Sequence, residues 1–476
     1  MLQNWLQIIP PSEQSIVIQE RTGFMTDVIR SQLWYRGDSS ELFQFFHQID
    51  GGVNSFWGSV PTNEKIRKIH SGLPAIIADT LAYIVKSDFD DVEINRADWK
   101  EISKQIDFEN LIGKAVCNTL VDGDGAFKIS VDTDISSGPI VDFVGADKVR
   151  YSYRRGILNE VVFMTDYNIK SSVYRLEEHY GKGYIRSILY DSKGNEISLE
   201  NVPELARIPQ YIKFDGDYIM AVPLKFYVSK KYSDRGKSIF DGGKSDCFDA
   251  LDEVVSQWWD AIRAGRVQKY IPECMIPRNY TDGSLKSINS FGTDFITVEQ
   301  PISETAERPK IEVIQPDIKY EAFVNAYTNC LLMCLQGLVS PATLGIDVGK
   351  MQSADAQREK KDVTGNTRNT ITSALENALP KLIEAILYTY DNIRKVPLQN
   401  CGEITVSFGE YGAPDFDSRV ETIGKACTYG IMSVETQIEE LWGNSKDDNW
   451  KQAEVKRIMA ERGLIEVDEP SVSGNP

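Results

Sequence analysis

The spacing of apolar residues divides the chain into helical and β-rich regions. Residues 70–85 carry apolar side chains three and four positions apart, and Pro74 suits a helix start. From residue 115 to residue 232, short β-branched and aromatic runs alternate with turn sequences such as GDG at 123–125, which predicts strands joined by hairpins. We therefore expect a mainly helical region up to about residue 110 and a β-rich region after it.

Two later segments have the pattern of amphipathic helices. The first begins near residue 246, where an apolar arc is flanked by an arc of acidic residues. The second covers residues 319–338, with aromatic residues, cysteines and leucines on one side. Between them, residues 268–318 contain five prolines and the runs FITVEQ and KIEVIQP, so we expect a small β-containing insertion.

The remainder of the chain reads as a break, a long helix, a strand and a helical end. Residues 339–353 contain Pro341, Gly345 and Gly349, which should interrupt any helix. A long helix is expected over 354–394, with a bend at 377–379 because Pro380 lacks an N–H and clashes with the preceding turn. The run EITVSF predicts one more strand, and helical patterns follow Asp415.

Charge excludes a protein with a general basic coat. The chain has 476 residues, with 52 lysines and arginines against 70 aspartates and glutamates, which gives a net charge of −18. A protein that grips nucleic acid by neutralising phosphates needs positive charge along its contact surface. Residues 415–469 contain thirteen acidic residues and seven basic ones. Any DNA partner should therefore be held loosely or by a small local patch.

The cysteines indicate a reducing compartment, and the apolar runs are too short for secretion or membrane insertion. The seven cysteines are an odd number and are widely scattered, which is not the pattern of a disulfide framework. Residues 1–20 lack a basic start followed by an apolar stretch, and the run 330–335 is about a third of a membrane span. We expect a protein that is neither secreted nor inserted in a membrane.

Motifs for catalysis, cofactors and metals are weak. The sequence GGKS at 242–245 resembles the end of a phosphate loop, but the required earlier glycine is Ser238. Cys330 and Cys334 lie one helical turn apart and are interpreted as packed apolar residues, because a metal would need two further ligands. The acidic pairs Asp122/Asp124 and Asp132/Asp134 suggest either a cation or tight turns, and turns are favoured. We expect no enzyme activity, cofactor or bound metal.

Six segments of the chain stand out: WYRGDSSELFQFF, SFWGSVP, KIHSGLPAIIADTLAYIV, GDGAFKISV, GKSIFDGGKSDCFDALDEVVSQWWDAIRAGRVQKYIPE and SPATLGIDVGKMQSADAQREKKDVT. Together they resemble the portal proteins of tailed bacteriophages, in particular siphophages of Gram-positive hosts, and the resemblance covers most of the chain. Its most specific stretches run from SIFDG to YIPE and from SPATLGID to QREK. The C-terminal part resembles the family mainly through its position.

The resemblance implies an α+β portal-type fold and a head-tail connector whose twelve copies form a ring. It places a wing in residues 1–240, with 354–415 adding a long kinked helix and a returning strand. The other implied parts are stem helix 1 (241–267), the clip (268–318), stem helix 2 (319–338), the tunnel loop (339–353), and the crown with its tail (416–476).

The resemblance also suggests roles for individual residues. A channel that lets DNA slide should bind phosphates weakly, so the acidic arc is a candidate lining and the tunnel loop a candidate DNA contact. A solvated outer face and an ordinary exposed loop are the alternatives. Aromatic residues of the stem are candidate subunit contacts, although core packing is the rival interpretation; basic residues at the start of the long helix could pair with the next subunit or touch DNA. The predicted residues are Asp246, Asp249, Glu253 and Asp260 for the lining, Asp347, Gly349, Lys350 and Met351 for the loop, and Trp258, Trp259, Phe323, Tyr327, Arg358, Lys360 and Lys361 for subunit contacts.

Partners follow from the same resemblance. A portal protein would meet further copies of itself, double-stranded viral DNA, the large terminase subunit, the head-tail adaptor, the major capsid protein and, if one is used, a scaffold. It would serve DNA packaging and ejection at one capsid vertex of the virion, after assembly in the host cytoplasm. Two other classes remain open: a metal-dependent nuclease or hydrolase using Asp122 and Asp124, and a capsid or baseplate component without a DNA channel.

Overall fold

The computed structural model describes residues 22–50, 55–59, 66–169, 172–265, 268–272, 295–298, 312–314, 318–346, 354–409, 416–443 and 447–461. The chain divides into two compact units, residues 1–409 and residues 410–476. The first unit combines helices with mainly antiparallel sheets, and the second is helical where it is described. The mixed α and β architecture predicted from the sequence is therefore confirmed.

Helices dominate the first hundred residues, as the apolar spacing predicts. The side chain of Trp34 is fully buried and packs edge-on against Phe46, with ring centroids 5.7 Å apart. Pro74 occupies the first turn of its helix, where its missing N–H has no helical partner to lose. The elements are α1 (Phe24–Arg36), α2 (Ser39–Asp50), α3 (Leu73–Ser87), β1 (Phe89–Glu93), α4 (Trp99–Gln105) and α5 (Phe108–Asp122).

A three-stranded antiparallel sheet follows α5. It consists of β2 (Asp124–Ser130), β3 (Ile140–Gly145) and β10 (Ala221–Lys225), with β2 in the centre. Gly123 joins α5 to β2 with a φ of 97°, and a Cβ there would lie 2.8 Å from the main-chain nitrogen of Ser238. Only glycine suits this turn, which explains the GDG sequence.

A larger antiparallel sheet forms most of the β-rich region. A buried cluster separate from the main core contains Leu176, Leu189, Leu199, Val202 and Leu205. Two short strands, β8 and β9, both pair with β7. The strands are β4 (Val149–Arg154), β5 (Ile157–Ile169), β6 (Ser172–Gly181), β7 (Tyr184–Tyr190), β8 (Glu196–Ile197) and β9 (Tyr211–Lys213).

Two helices flank the predicted insertion. They are α6 (Lys244–Ala264) and α7 (Tyr320–Leu335). The described strands between them are β11 (Gln268–Pro272), β12 (Phe295–Val298) and β13 (Glu312–Ile314). The central strand β11 runs parallel to β12 and antiparallel to β13. The β content expected for residues 268–318 is confirmed.

The long helix α8 (Ala354–Arg394) continues through Pro380, and the bend expected at 377–379 stays a prediction. Its end is tied to the loop after β1, because the buried Arg96 guanidinium lies 2.9 Å from Asp391 Oδ1. The strand β14 (Thr405–Phe408) pairs with β1. The second unit contains α9 (Phe416–Thr428), α10 (Val434–Trp442) and α11 (Asp448–Glu461).

Candidate functional site: the α6–α7 hairpin and the segments that hold it

The helices α6 and α7 lie antiparallel along each other. Trp258, near the end of α6, stacks on Phe323 near the start of α7, with ring centroids 6.3 Å apart and planes 3° apart. Lys244, the first residue of α6, reaches the opposite end of α7, where its Nζ donates hydrogen bonds to the carbonyl oxygens of Met333 (2.7 Å) and Gln336 (2.8 Å). The pair is therefore fixed at both ends.

Lys244 serves as a cap for α7. Carbonyl groups in the last turn of a helix lack intrahelical partners, and a lysine side chain can satisfy them. Burial lowers the pKa of Lys244 from its ordinary value. The lysine of the GGKS sequence is thus engaged with protein oxygens.

Two carboxylates of α6 bind the chain between α2 and α3. We call residues 55–59 and 66–71 the α6-binding segment. Asp249 accepts hydrogen bonds from the main-chain N–H groups of Phe56 (2.7 Å) and Trp57 (3.1 Å). Burial raises the pKa of Asp249, and these two hydrogen bonds oppose that rise. Its carboxylate is therefore committed inside the subunit.

Asp252 is the centre of this contact and has no exposed surface. Its carboxylate accepts hydrogen bonds from His70 Nδ1 (2.7 Å), the Ser71 main-chain N–H (2.8 Å) and Trp57 Nε1 (3.1 Å). One turn later, Ser256 Oγ accepts a hydrogen bond from the main-chain N–H of Ile69 (2.9 Å). These bonds fix α6 against a segment about 190 residues away in sequence.

Lys68 holds the α6-binding segment in shape. Its ammonium group donates hydrogen bonds to the carbonyl oxygens of Phe56, Trp57 and Ser59 and lies 4.9 Å from the centroid of the Phe56 ring. Burial lowers its pKa. A cation that binds three carbonyl groups closes the turn at 56–58, so Asp249 meets a preformed pair of N–H donors.

The predicted acidic arc needs one correction. Asp246 is exposed, and Glu253 and Asp260 are half-buried, so these three remain available to line a channel. Asp249 faces the α6-binding segment instead, because its carboxylate satisfies two N–H groups there. The acidic face is therefore narrower than the sequence pattern predicts.

The structure separates the predicted aromatic contacts into two kinds. Trp258 stacks on Phe323 and lies 6.3 Å from the ring of Tyr327, so these three residues pack within one subunit. Trp259 is 55% exposed. Of the four aromatic residues, Trp259 is the one whose surface remains largely open to a second chain.

The chain that leaves α7 stays packed up to Ile346. Val339 and Pro341 are buried, and residues 341–344 form a short 3₁₀ turn. The predicted contacts Asp347, Gly349, Lys350 and Met351 lie outside the described residues. Arg358, Lys360 and Lys361 belong to α8, but their side chains also lie outside the described part of the structure.

The alternative metal site at Asp122 and Asp124 is occupied by protein groups. Asp124 is fully buried and lies 2.9 Å from Arg235 Nη2, and it accepts a hydrogen bond from the Gly236 N–H (2.6 Å). Asp122 accepts hydrogen bonds from Gln32 Nε2 (3.1 Å) and the Ala146 N–H (3.3 Å). Burial raises the pKa of Asp122 to about 7. Both aspartates thus stabilise the turn between α5 and β2, which agrees with the interpretation of this pair as part of a tight turn.

Cys334 is buried on the face of α7 that meets the core, and Cys330 is half-buried beside it. Burial raises the pKa of Cys334 to about 12, so its thiol stays protonated. This agrees with the apolar interpretation of the pair. Within the described ranges, no group of three or more histidine, cysteine or acidic side chains is arranged to hold a metal ion.

Sequence reasoning missed Lys68, His70 and Asp252. For Asp252 a signal exists: it falls four residues after Phe248, on the apolar arc of α6, and an acid there needs buried partners. For Lys68 and His70 no local signal exists, because their partners are far away in sequence or lie on the main chain.

No protein family model and no curated protein sequence matches the chain. Solved structures similar to it include the neck of a native GTA particle computed with C12 symmetry, at a TM-score of 0.40 and 11% identity, covering 78% of this chain and 89% of that one. Another is the neck of an empty GTA particle computed with C6 symmetry, at a TM-score of 0.39 and 12% identity, covering 86% and 94%. GTA particles are phage-like gene transfer agents. In the described part of the chain, no helix is long and apolar enough to cross a membrane.

Proposed function

We propose that this protein is a portal subunit, twelve copies of which form the ring through which DNA enters and leaves a phage-like particle. The observation that supports this most is the α6–α7 hairpin. It presents a small sheet between two long helices, and its base is fixed to the subunit by the carboxylates of Asp249 and Asp252. The same hairpin contains one of the two segments whose sequence resembles phage portals most specifically.

The acidic side chains of α6 suit a channel through which DNA slides. Asp246, Glu253 and Asp260 follow one another at intervals of seven residues, about two helical turns, and Gln257 Nε2 donates a hydrogen bond to Glu253 (2.8 Å). An acidic wall repels phosphates, whereas a basic wall would hold them by releasing counterions. Brief contacts by Lys350 would guide the duplex without stopping it.

Ring closure requires that each subunit present two different surfaces to its neighbours. Four of the exposed apolar side chains of the hairpin supply one of them: Trp259 and Ile262 on α6, and Tyr320 and Val324 on α7. All four lie toward the end of the hairpin that carries the small sheet. Tryptophan and tyrosine concentrate binding energy at interfaces, so we assign a subunit contact to this end.

The small sheet would meet the proteins that act in turn at the vertex. The large terminase subunit would dock there during filling, and the head-tail adaptor would replace it afterwards. The major capsid protein, and a scaffold if one is used, would contact the wing. In this proposal the ATPase belongs to the terminase, and the chain itself is not an enzyme.

Electron microscopy of the purified full-length protein tests the proposal directly. A ring with a central hole supports it, and native mass spectrometry gives the number of subunits. Particles made without the gene should lack DNA. DNA-filled particles in that deletion would favour a capsid or baseplate role, and metal-dependent DNA cleavage lost in Asp124→Asn would favour a nuclease.

A further inference from the structure

Helix α7 carries almost no charge, although part of it is exposed in the single subunit. Of its 16 residues, Glu321 is the only charged one. Tyr320 is 61% exposed, and Val324, Leu332 and Met333 are exposed as well. Exposed apolar patches on a folded chain mark interaction sites. The composition of α7 therefore indicates contact with another chain.

The open side of the hairpin continues a side that is buried nearer its base. Residues seven apart lie on the same side of a helix, about two turns away from each other. Val324 lies seven residues before the buried Leu331, and Trp259 lies seven residues after the buried Asp252, yet Val324 and Trp259 are exposed. The same side is covered by the subunit itself at the base and is open at the end that carries the small sheet.

Opposite charges lie on the two helices at this open end. Arg263 follows Trp259 by one helical turn on α6, and Glu321 precedes Val324 by one turn on α7. Both charged side chains are exposed, and neither forms an ion pair with any residue that the structure describes. We define the hairpin face as Trp259, Ile262, Arg263, Tyr320, Glu321 and Val324.

We propose that the hairpin face binds the hairpin of a second copy of this chain, with α6 of one copy against α7 of the next and Arg263 paired with Glu321 across the contact. This inference rests on the proposed function, since it names the surfaces that close the ring. The exposed apolar side chains supply the contact area, and the ion pair determines which helices meet.

The charges favour a contact between unlike helices. Two α7 helices brought together would place Glu321 beside Glu321, and two α6 helices would place Arg263 beside Arg263; like charges in an interface repel and exclude the wrong partner. A contact of α6 with α7 joins two different surfaces and repeats in one direction from copy to copy. Such a heterologous contact is what a closed ring requires.

Charge reversals in the full-length protein test the pairing. Arg263→Glu and Glu321→Arg each place like charges across the contact, so we expect each to raise the protein concentration at which rings form by about tenfold. The variant with both reversals restores opposite charges and should form rings at the wild-type concentration. Glu376→Arg is the matched control, because it makes the same change at an exposed acid of α8. Native mass spectrometry over a dilution series measures ring formation.

A mixture of two variants identifies the helices that meet. One full-length chain carries Arg263→Cys, and the other carries Glu321→Cys. After oxidation with diamide and digestion with a protease, mass spectrometry should find peptides of the two chains linked through positions 263 and 321. Links that join 263 to 263, or 321 to 321, should be absent.

The outcomes separate this inference from the proposed function. Ring formation at the wild-type concentration in both single reversals would overturn the pairing, and so would a double variant that stays as impaired as the single ones. Links between identical positions would show that like helices meet. Each of these results contradicts the inference and leaves the ring itself in place. A wild-type protein that forms no ring at any concentration would instead remove the proposed function.

Discussion

Asp252 shows how one carboxylate can join distant parts of the subunit. It receives donors from an imidazole, an indole and a main-chain N–H, and none of its surface reaches solvent. A carboxylate buried without such partners would be strongly unfavourable.

Removing this carboxylate should lower stability more than removing an exposed one. We expect Asp252→Ala to reduce the free energy of unfolding by about 3 kcal/mol, because three buried donors lose their acceptor. Urea denaturation followed by tryptophan fluorescence measures the change. Asp246→Ala is the control on the same helix and should have little effect; equal losses in both variants would contradict this account.

Asp122 should make stability depend on pH. Burial raises its pKa to about 7 in the folded protein from an unfolded value near 3.8. The folded state therefore holds the proton more firmly, and the stability from this group is complete below the lower value and is lost as pH rises through the higher one. The slope between them is at most about 1.4 kcal/mol per pH unit.

Asp122→Asn tests this dependence. We expect the variant to be more stable than wild type at pH 8 and close to it at pH 4, as measured by urea denaturation at both values. Asp142→Asn, which replaces an exposed acid on β3, provides the control. If the difference in free energy of unfolding between wild type and Asp122→Asn is the same at pH 4 and pH 8, the pKa of Asp122 is not raised in the folded protein.

At the scale of elements, the two adjacent tryptophans of α6 should have separable effects. Trp258→Ala removes the stacking on Phe323 and should lower the free energy of unfolding by about 2 kcal/mol. Trp259→Ala removes a largely exposed ring, so it should leave subunit stability nearly unchanged and weaken the ring. Denaturation and native mass spectrometry give the two quantities. Intact rings in Trp259→Ala would show that Trp259 is not part of the subunit contact.

Elements were predictable from the sequence where their apolar spacing is regular. The helices α6 and α7 and the strands between them lie where the pattern places them, within a few residues. The orientation of Asp249 was not predictable, because its partners Phe56 and Trp57 contribute main-chain groups that leave no mark in the sequence. The exposure of Trp259 was not predictable either, because it depends on which other elements cover α6. The spacing of apolar residues within one helix carries no information about that.

For the whole molecule, the proposed channel makes Lys350 a functional rather than a structural residue. We expect Lys350→Glu to leave rings intact and to lower the amount of DNA packaged, because it replaces a brief attraction to phosphate with repulsion. The measurement is DNA length in purified particles, with Lys350→Gln separating the loss of attraction from the added repulsion. Full-length genomes in both variants would exclude this residue from DNA passage.

The bonds from Asp249 to Phe56 and Trp57 have an evolutionary consequence. Every amino acid except proline supplies a main-chain N–H, so with respect to this contact the aromatic positions can drift freely while the acid stays fixed. Covariation between paired positions would therefore give no sign of it. Among diverged descendants of this chain, an invariant acid on α6 facing two residues that are never proline would be the trace of this contact.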